Sequence, residues 1–144
     1  MTFCKNSILF IVFLTAALTA VSAQEFTVSG DVLIGDTGTV SIFLVDLNSF
    51  NKPGASIRIL EHHLTGEDLK KGSFSFSFTD IPEGEYGVRS FIDTNGNGKC
   101  DLGLFGPKEP WGMSWKTDKP FGKPKFSDMS FYVESDTYVK VIVD

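Results

Sequence analysis

The sequence predicts an all-β protein, a single antiparallel β-sandwich of about seven strands, immunoglobulin-like or transthyretin-like, carrying a long ordered loop. Three observations predict it. From Phe26 onward the apolar residues recur mostly at period two, the pattern of half-buried strands. Gly, Asn, Asp and Pro punctuate the intervals between the apolar runs, and no long stretch repeats at the helical period.

In chain order, Lys5, the apolar run 8–18 and the small residues Val21, Ser22 and Ala23 form a three-part secretory leader with cleavage expected after Ala23. The run is shorter than the roughly 20 residues that a spanning helix needs, and Gln24 rather than a cysteine opens the remainder, which argues against a lipid anchor. The expected product is therefore 24–144, periplasmic or secreted, with no membrane span. It is short enough to be one domain.

Strands are expected at 26–34, 40–46, 56–60, 73–79, 84–93, 126–134 and 138–143. The clearest is 73–79, where Phe74, Phe76 and Phe78 alternate with Ser73, Ser75 and Ser77, so one face is core and the other wet. Thr65 with Asp68 forms a capping-box pattern for one or two helical turns over 65–71. The turn at 80–86 leads into Tyr86, which stands where a tyrosine corner would and reads equally as an ordinary strand tyrosine. Between Leu102 and Lys125 the periodicity stops and Pro107, Pro110, Pro120 and Pro124 appear. Leu104, Phe105, Trp111, Met113, Trp115, Phe121 and Phe126 make this segment too apolar for a disordered linker, so it is expected to fold over one end or face of the sandwich.

Charge and cysteine content narrow the chemistry. Residues 24–144 hold 12 basic and 18 acidic residues, a formal −6. With no Lys/Arg run, this balance argues against nucleic acid and against an anionic membrane as partner. Only Cys100 remains outside the leader, so an internal disulfide is impossible and stability must come from packing, from a metal, or from both. No basic group except Lys99 adjoins Cys100 in sequence, which makes it a bystander rather than a reactive thiol.

One motif has a chemical mechanism. Asp93, Asn95, Asn97 and Asp101 occupy positions 1, 3, 5 and 9 of a loop with Gly98 at position 6, and the backbone carbonyl of Lys99 falls at position 7. Oxygen donors in this register suit calcium. Leu104 stands where a bidentate glutamate is usual, so a further ligand must come from elsewhere, and Glu109 is the next carboxylate along the chain. With so few formal charges the affinity should be weak, about 10⁻⁴ to 10⁻³ M. The same residues also read as two Asn-Gly turns with no metal.

The other features are weaker. His62 and His63 are adjacent and would point to opposite sides of a strand. Asp80, Glu83 and Glu85 form an acidic turn whose ordinary state is a solvated surface. Trp111, Met113, Ser114 and Trp115 form an aromatic segment that reads either as a ligand platform or as the lid under which the long segment packs. Nothing in the sequence arranges a nucleophile beside a base.

Four blocks in order, Ile81-Pro82-Glu83-Gly84-Glu85-Tyr86-Gly87-Val88, then Asp93-x-Asn95-x-Asn97-Gly98-Lys99-x-Asp101, then the run from Gly106 to Ser114, and finally Pro124-Lys125-Phe126-Ser127-Asp128, resemble the domain of unknown function 2141 family. Its members are small exported bacterial proteins without an established activity. Many carry a histidine just before the first Asp of the loop; this chain has Ile92 there, so no role for that histidine carries over. The resemblance implies that the calcium-like loop, Glu109 and the Gly-Met-Ser segment form one connected feature. A more distant likeness of the Pro-Gly-Tyr turn to carboxypeptidase-regulatory-like and Cna-B-like sandwiches bears on the fold alone.

The expected function is thus an exported, calcium-stabilised sandwich that serves as a binding or structural module, with an extracytoplasmic protein or a glycan as partner. The alternative is a carbohydrate-binding protein or hydrolase that uses the aromatic segment 102–125.

Overall fold

The structure is a computed structural model that describes residues 24–144; the expected leader, 1–23, lies outside the described residues. Two sheets pack over a shared apolar core. The first contains β1 (Glu25–Leu33), β4 (Ser73–Pro82) and β10 (Thr137–Ile142), in the order β10-β1-β4. The second contains β2 (Thr39–Val45), β3 (Arg58–His63), β5 (Gly84–Asp93) and β8 (Trp111–Met113), in the order β3-β2-β5-β8. The short β9 (Phe131–Val133) pairs with the start of β5, and β6 (Leu102–Gly103) with β7 (Gly106–Pro107) forms a separate hairpin.

Period-two patterning explains the core. Phe26, Val28 and Val32 of β1, with Phe76 and Phe78 of β4, face Val40, Ile42 and Leu44 of β2 and Val88 and Ile92 of β5. Each such side chain contributes roughly 1.5–3 kcal/mol on full burial. Among the described residues, the buried apolar side chains run from Phe26 to Val143. A second cluster joins Val45, Phe126 and Met129, with Met113 and Trp115 packed against it.

The all-β sandwich expected from the sequence is the architecture observed, with local differences. One pairing is not antiparallel: β1 and β10 run parallel, Val28 opposite Thr137 through Leu33 opposite Ile142. The strand expected at 126–134 is shorter, because Phe126–Asp128 forms a 3-10 turn before β9. Phe126 and Met129 both point into the second cluster, and a spacing of three suits a turn, not a strand. β3 begins two residues later than expected and ends three later. β4 continues to Pro82 through an irregularity in its pairing with β1, near Asp80 at φ +58°. A one-turn helix α1 (Leu47–Phe50), capped by Asp46, was not anticipated, whereas α2 (Gly66–Lys71) has the expected Thr65 and Asp68 box.

The segment 102–125 is only partly the lid that its composition implied. Met113 and Trp115 pack on the second cluster as expected, but Leu104, Phe105 and Phe121 are fully exposed. They stand in solvent because neither the hairpin tip nor the residues around Phe121 are covered by another element.

One buried group in the second sheet is unsatisfied. The hydroxyl of Ser90, a residue 3% exposed and paired with Gly112, has no hydrogen-bond partner. Ser90→Ala is therefore expected to stabilise the protein by about 1 kcal/mol, read in a denaturant titration, because it removes a desolvated hydroxyl and breaks nothing.

A polar loop braced by a buried glutamate

β5 delivers Asp93 to the end of the second sheet, opposite Thr39 of β2. Its carboxylate then organises the following turn. Oδ1 accepts from the amides of Gly96 at 2.7 Å and Asn97 at 3.2 Å, and Oδ2 accepts from Gly98 at 2.7 Å. Gly96 and Gly98 both sit at φ +74°, a conformation that side-chain-bearing residues rarely adopt. The Gly98 amide above all, with Gly96 and Asn97 behind it, holds Asp93 below the ordinary carboxylate range against the opposing effect of burial. The stability gained from this acceptor is present above the unfolded carboxylate pKa and is lost as pH falls through the lower folded value.

The two asparagines close the loop in the same way. Asn95 Oδ1 accepts from the Asn97 amide at 3.0 Å, and Asn97 Oδ1 accepts from the Lys99 amide at 2.8 Å. Their Nδ2 groups both donate to Asp101 Oδ2, each at 2.9 Å. Asp93, Asn95, Asn97 and Asp101 are thus drawn onto one small loop, as the spacing implied, while the Lys99 side chain is exposed.

Glu109 is tied to the backbone of the loop. It is 5% exposed; Oε1 accepts from the Thr94 amide at 3.2 Å and Oε2 from the Asp101 amide at 3.1 Å. The carboxylate therefore braces the loop from behind, and it grips both ends of it. Backbone bonds from Lys108 to the Asp101 carbonyl, 2.8 Å, and from Ile92 to the Pro110 carbonyl, 2.9 Å, add to the junction. The loop and the start of the long segment are one connected piece of structure.

A cation would find oxygen from Asp93, Asn95, Asn97 and Asp101: Asp93 Oδ2, Asn95 Oδ1 and Asn97 Oδ1 each accept one amide and keep a second lone pair, whereas Asp93 Oδ1 and Asp101 Oδ2 already accept two N–H groups each. Among the described residues no group of three or more His, Cys, Asp or Glu side chains gathers at metal-binding spacing. The donor set is therefore half amide. That suits a hard, weakly held ion and does not suit zinc.

The aromatic segment is built into the sheet. Trp111 and Met113 lie on β8, paired with Phe91 and Arg89 of β5. Trp111 and Trp115 meet edge to face with centroids 5.9 Å apart, and Lys119 Nζ lies 4.3 Å from the Trp111 ring centroid. Ser114 is buried. Its Oγ accepts from the Val88 amide at 2.9 Å and donates to the Met129 carbonyl at 2.8 Å. Trp115, with Lys116, Phe131, Val139 and Lys140, borders a shallow depression of about 220 Å³.

At its floor lies a chain of contacts that sequence reasoning did not foresee. Lys116 Nζ donates to Ser130 Oγ at 3.3 Å, and Ser130 donates to Glu85 at 2.6 Å. These residues come from three separate stretches of chain, so no local spacing signals them. Glu85 stays exposed, as expected of the acidic turn, while accepting this bond.

Cys100 fits the bystander role: burial first, then the nearby Glu109 and Asp101, pushes its thiol pKa up, the opposite of an activated thiolate. His62 is structural, with Nε2 3.0 Å from Asp68 Oδ2 and its ring stacked on Phe74 at 4.2 Å.

The family model described as "Uncharacterized protein conserved in bacteria (DUF2141)" matches residues 32–141. No curated protein and no solved structure matches the chain.

Proposed function

We propose, for a chain that belongs to the DUF2141 family of uncharacterised bacterial proteins, that it is an exported β-sandwich module stabilised by calcium, and that it binds or scaffolds a partner outside the cytoplasm. The observation that supports this most is the loop 93–101, wound around the Asp93 carboxylate and held from behind by Glu109. A calcium ion would supply positive charge among the Asp93, Asn95, Asn97 and Asp101 oxygens. The two carboxylates would then no longer depend on amide donors alone. Glu109 transmits that order to the segment that begins at Leu102. The leader pattern at 1–23 supports export, and among the described residues no helix is long and apolar enough to cross a membrane.

The alternative use of the aromatic segment as a sugar subsite has less support. The Trp111 ring is already engaged by Trp115 and Lys119, which leaves less of it free to stack on a sugar.

A thermal melt of 24–144 in chelator and then in millimolar calcium tests the proposal. Calcium is expected to raise the midpoint, and Asp93→Ala and Asp101→Ala are expected to abolish that shift. Glu109→Ala, by contrast, keeps a reduced shift and speeds proteolysis within 93–125. An unchanged wild-type midpoint together with unchanged proteolysis would reduce the loop to a hydrogen-bonded turn.

A further inference from the structure

The hairpin β6-β7 carries an anomaly at its tip. Leu102 pairs with Pro107 and Gly103 with Gly106, so the connection consists of two residues, Leu104 and Phe105. Two-residue hairpin turns favour Asn, Asp and Gly, whose backbones take the required conformations and whose side chains are at ease in water. Here the tip presents a leucine 97% exposed and a phenylalanine 104% exposed, beside Leu102 at 74%. Other exposed apolar side chains, such as Leu47, Ile59 and Ile142, are only 54–55% exposed and keep partial cover. Neither tip residue supports any part of the fold.

The sequence segment that carries the tip has a formal charge opposite in sign to the rest of 24–144. Residues 99–125 contain six lysines (99, 108, 116, 119, 123 and 125) and three carboxylates (Asp101, Glu109 and Asp118), a formal +3, while the remainder of 24–144 carries −9. The balance of −6 over 24–144, which argued against an anionic membrane, conceals this excess. Lys108 stands at the foot of the hairpin, where its stem lies against Gly103, so its aliphatic part lines the hairpin behind the apolar tip.

We propose that this hairpin is a membrane-docking tip: Leu104 and Phe105 enter the headgroup and acyl boundary of a lipid bilayer, while Lys99 and Lys108, both exposed at its foot, rest on anionic headgroups. An apolar point with cations behind it matches the depth profile of a bilayer interface. A closed protein pocket would receive the apolar tip but gives no reason for the two exposed lysines at its foot. The inference rests on the hairpin and its charge, and does not require the ion at Asp93.

The test is co-sedimentation of 24–144 with phosphatidylcholine vesicles, with and without phosphatidylglycerol, at low and high salt, in chelator and in calcium. Binding is expected on the phosphatidylglycerol vesicles and should weaken with salt. The double variant Leu104→Ser, Phe105→Ser should lower partitioning on the order of a hundredfold with an unchanged melting midpoint, since both side chains are exposed. Lys99→Gln with Lys108→Gln should weaken binding only where phosphatidylglycerol is present. The proposal is overturned if the wild type ignores both vesicles, if the tip variant binds as the wild type does, or if the tip instead drives self-association in sedimentation velocity. If calcium-dependent stabilisation fails but vesicle binding persists in chelator, only the ion reading falls.

Discussion

Gly112→Ala is expected to cost at least about 3 kcal/mol, among the largest effects of any single methyl group in this fold. A Cβ at residue 112 would fall 1.9 Å from the Ile142 carbonyl oxygen and 2.8 Å from its carbon. Both are backbone atoms of β10, so no side-chain rotation relieves the clash. β8 must move away from β10, and the backbone pairing of Trp111 with Asp144, at 3.3 and 3.4 Å, is lost with it. The cost should appear as a lower denaturation midpoint, with tryptophan emission shifted to the red as Trp111 gains water. A midpoint within experimental error of the wild type would mean that the contact between β8 and β10 is much looser than described here.

Ser114→Ala is expected to cost about 2–3 kcal/mol, because it deprives two buried backbone groups of a partner with one change. The Val88 amide loses its acceptor and the Met129 carbonyl loses its donor. The expected readout is a fall in midpoint at constant denaturant slope. If Ser114 served only to contact a ligand, the variant would unfold like the wild type.

The strands were legible where one face is buried and the other wet. Phe76 and Phe78 face inward while Ser75 and Ser77 stay exposed in β4, and that contrast is written in the residues themselves. The helical turn at Thr65 was legible because its cap is local. What the sequence hid is non-local. Nothing near Phe126 or Met129 announces that both enter a cluster with Val45, and so a turn was read as a strand. The composition of 102–125 was averaged over residues with opposite fates, with Trp115 packed and Phe105 in water.

The loop followed the same division. Spacing alone gathered Asp93, Asn95, Asn97 and Asp101, since all four lie on one turn. Glu109 does lie against the loop, but its role depends on direction. It holds the Thr94 and Asp101 amides from outside the loop, and no sequence pattern states which way a side chain points. The Lys116, Ser130 and Glu85 contacts depend on three distant stretches of chain meeting, and had no local signal at all.

The parallel pairing of β1 with β10 also sets a timetable. Partners such as Val28 and Thr137 lie more than a hundred residues apart in sequence, so this half of the sheet closes a loop of most of the described chain. Such closure is entropically slow. Until residues 137–142 arrive, β1 pairs with β4 on one side and presents an unpaired edge on the other. Refolding should therefore be governed by the docking of the last strand, and a chain emerging from its N-terminus stays unfinished, with that edge open to mispairing, until nearly all of it is available.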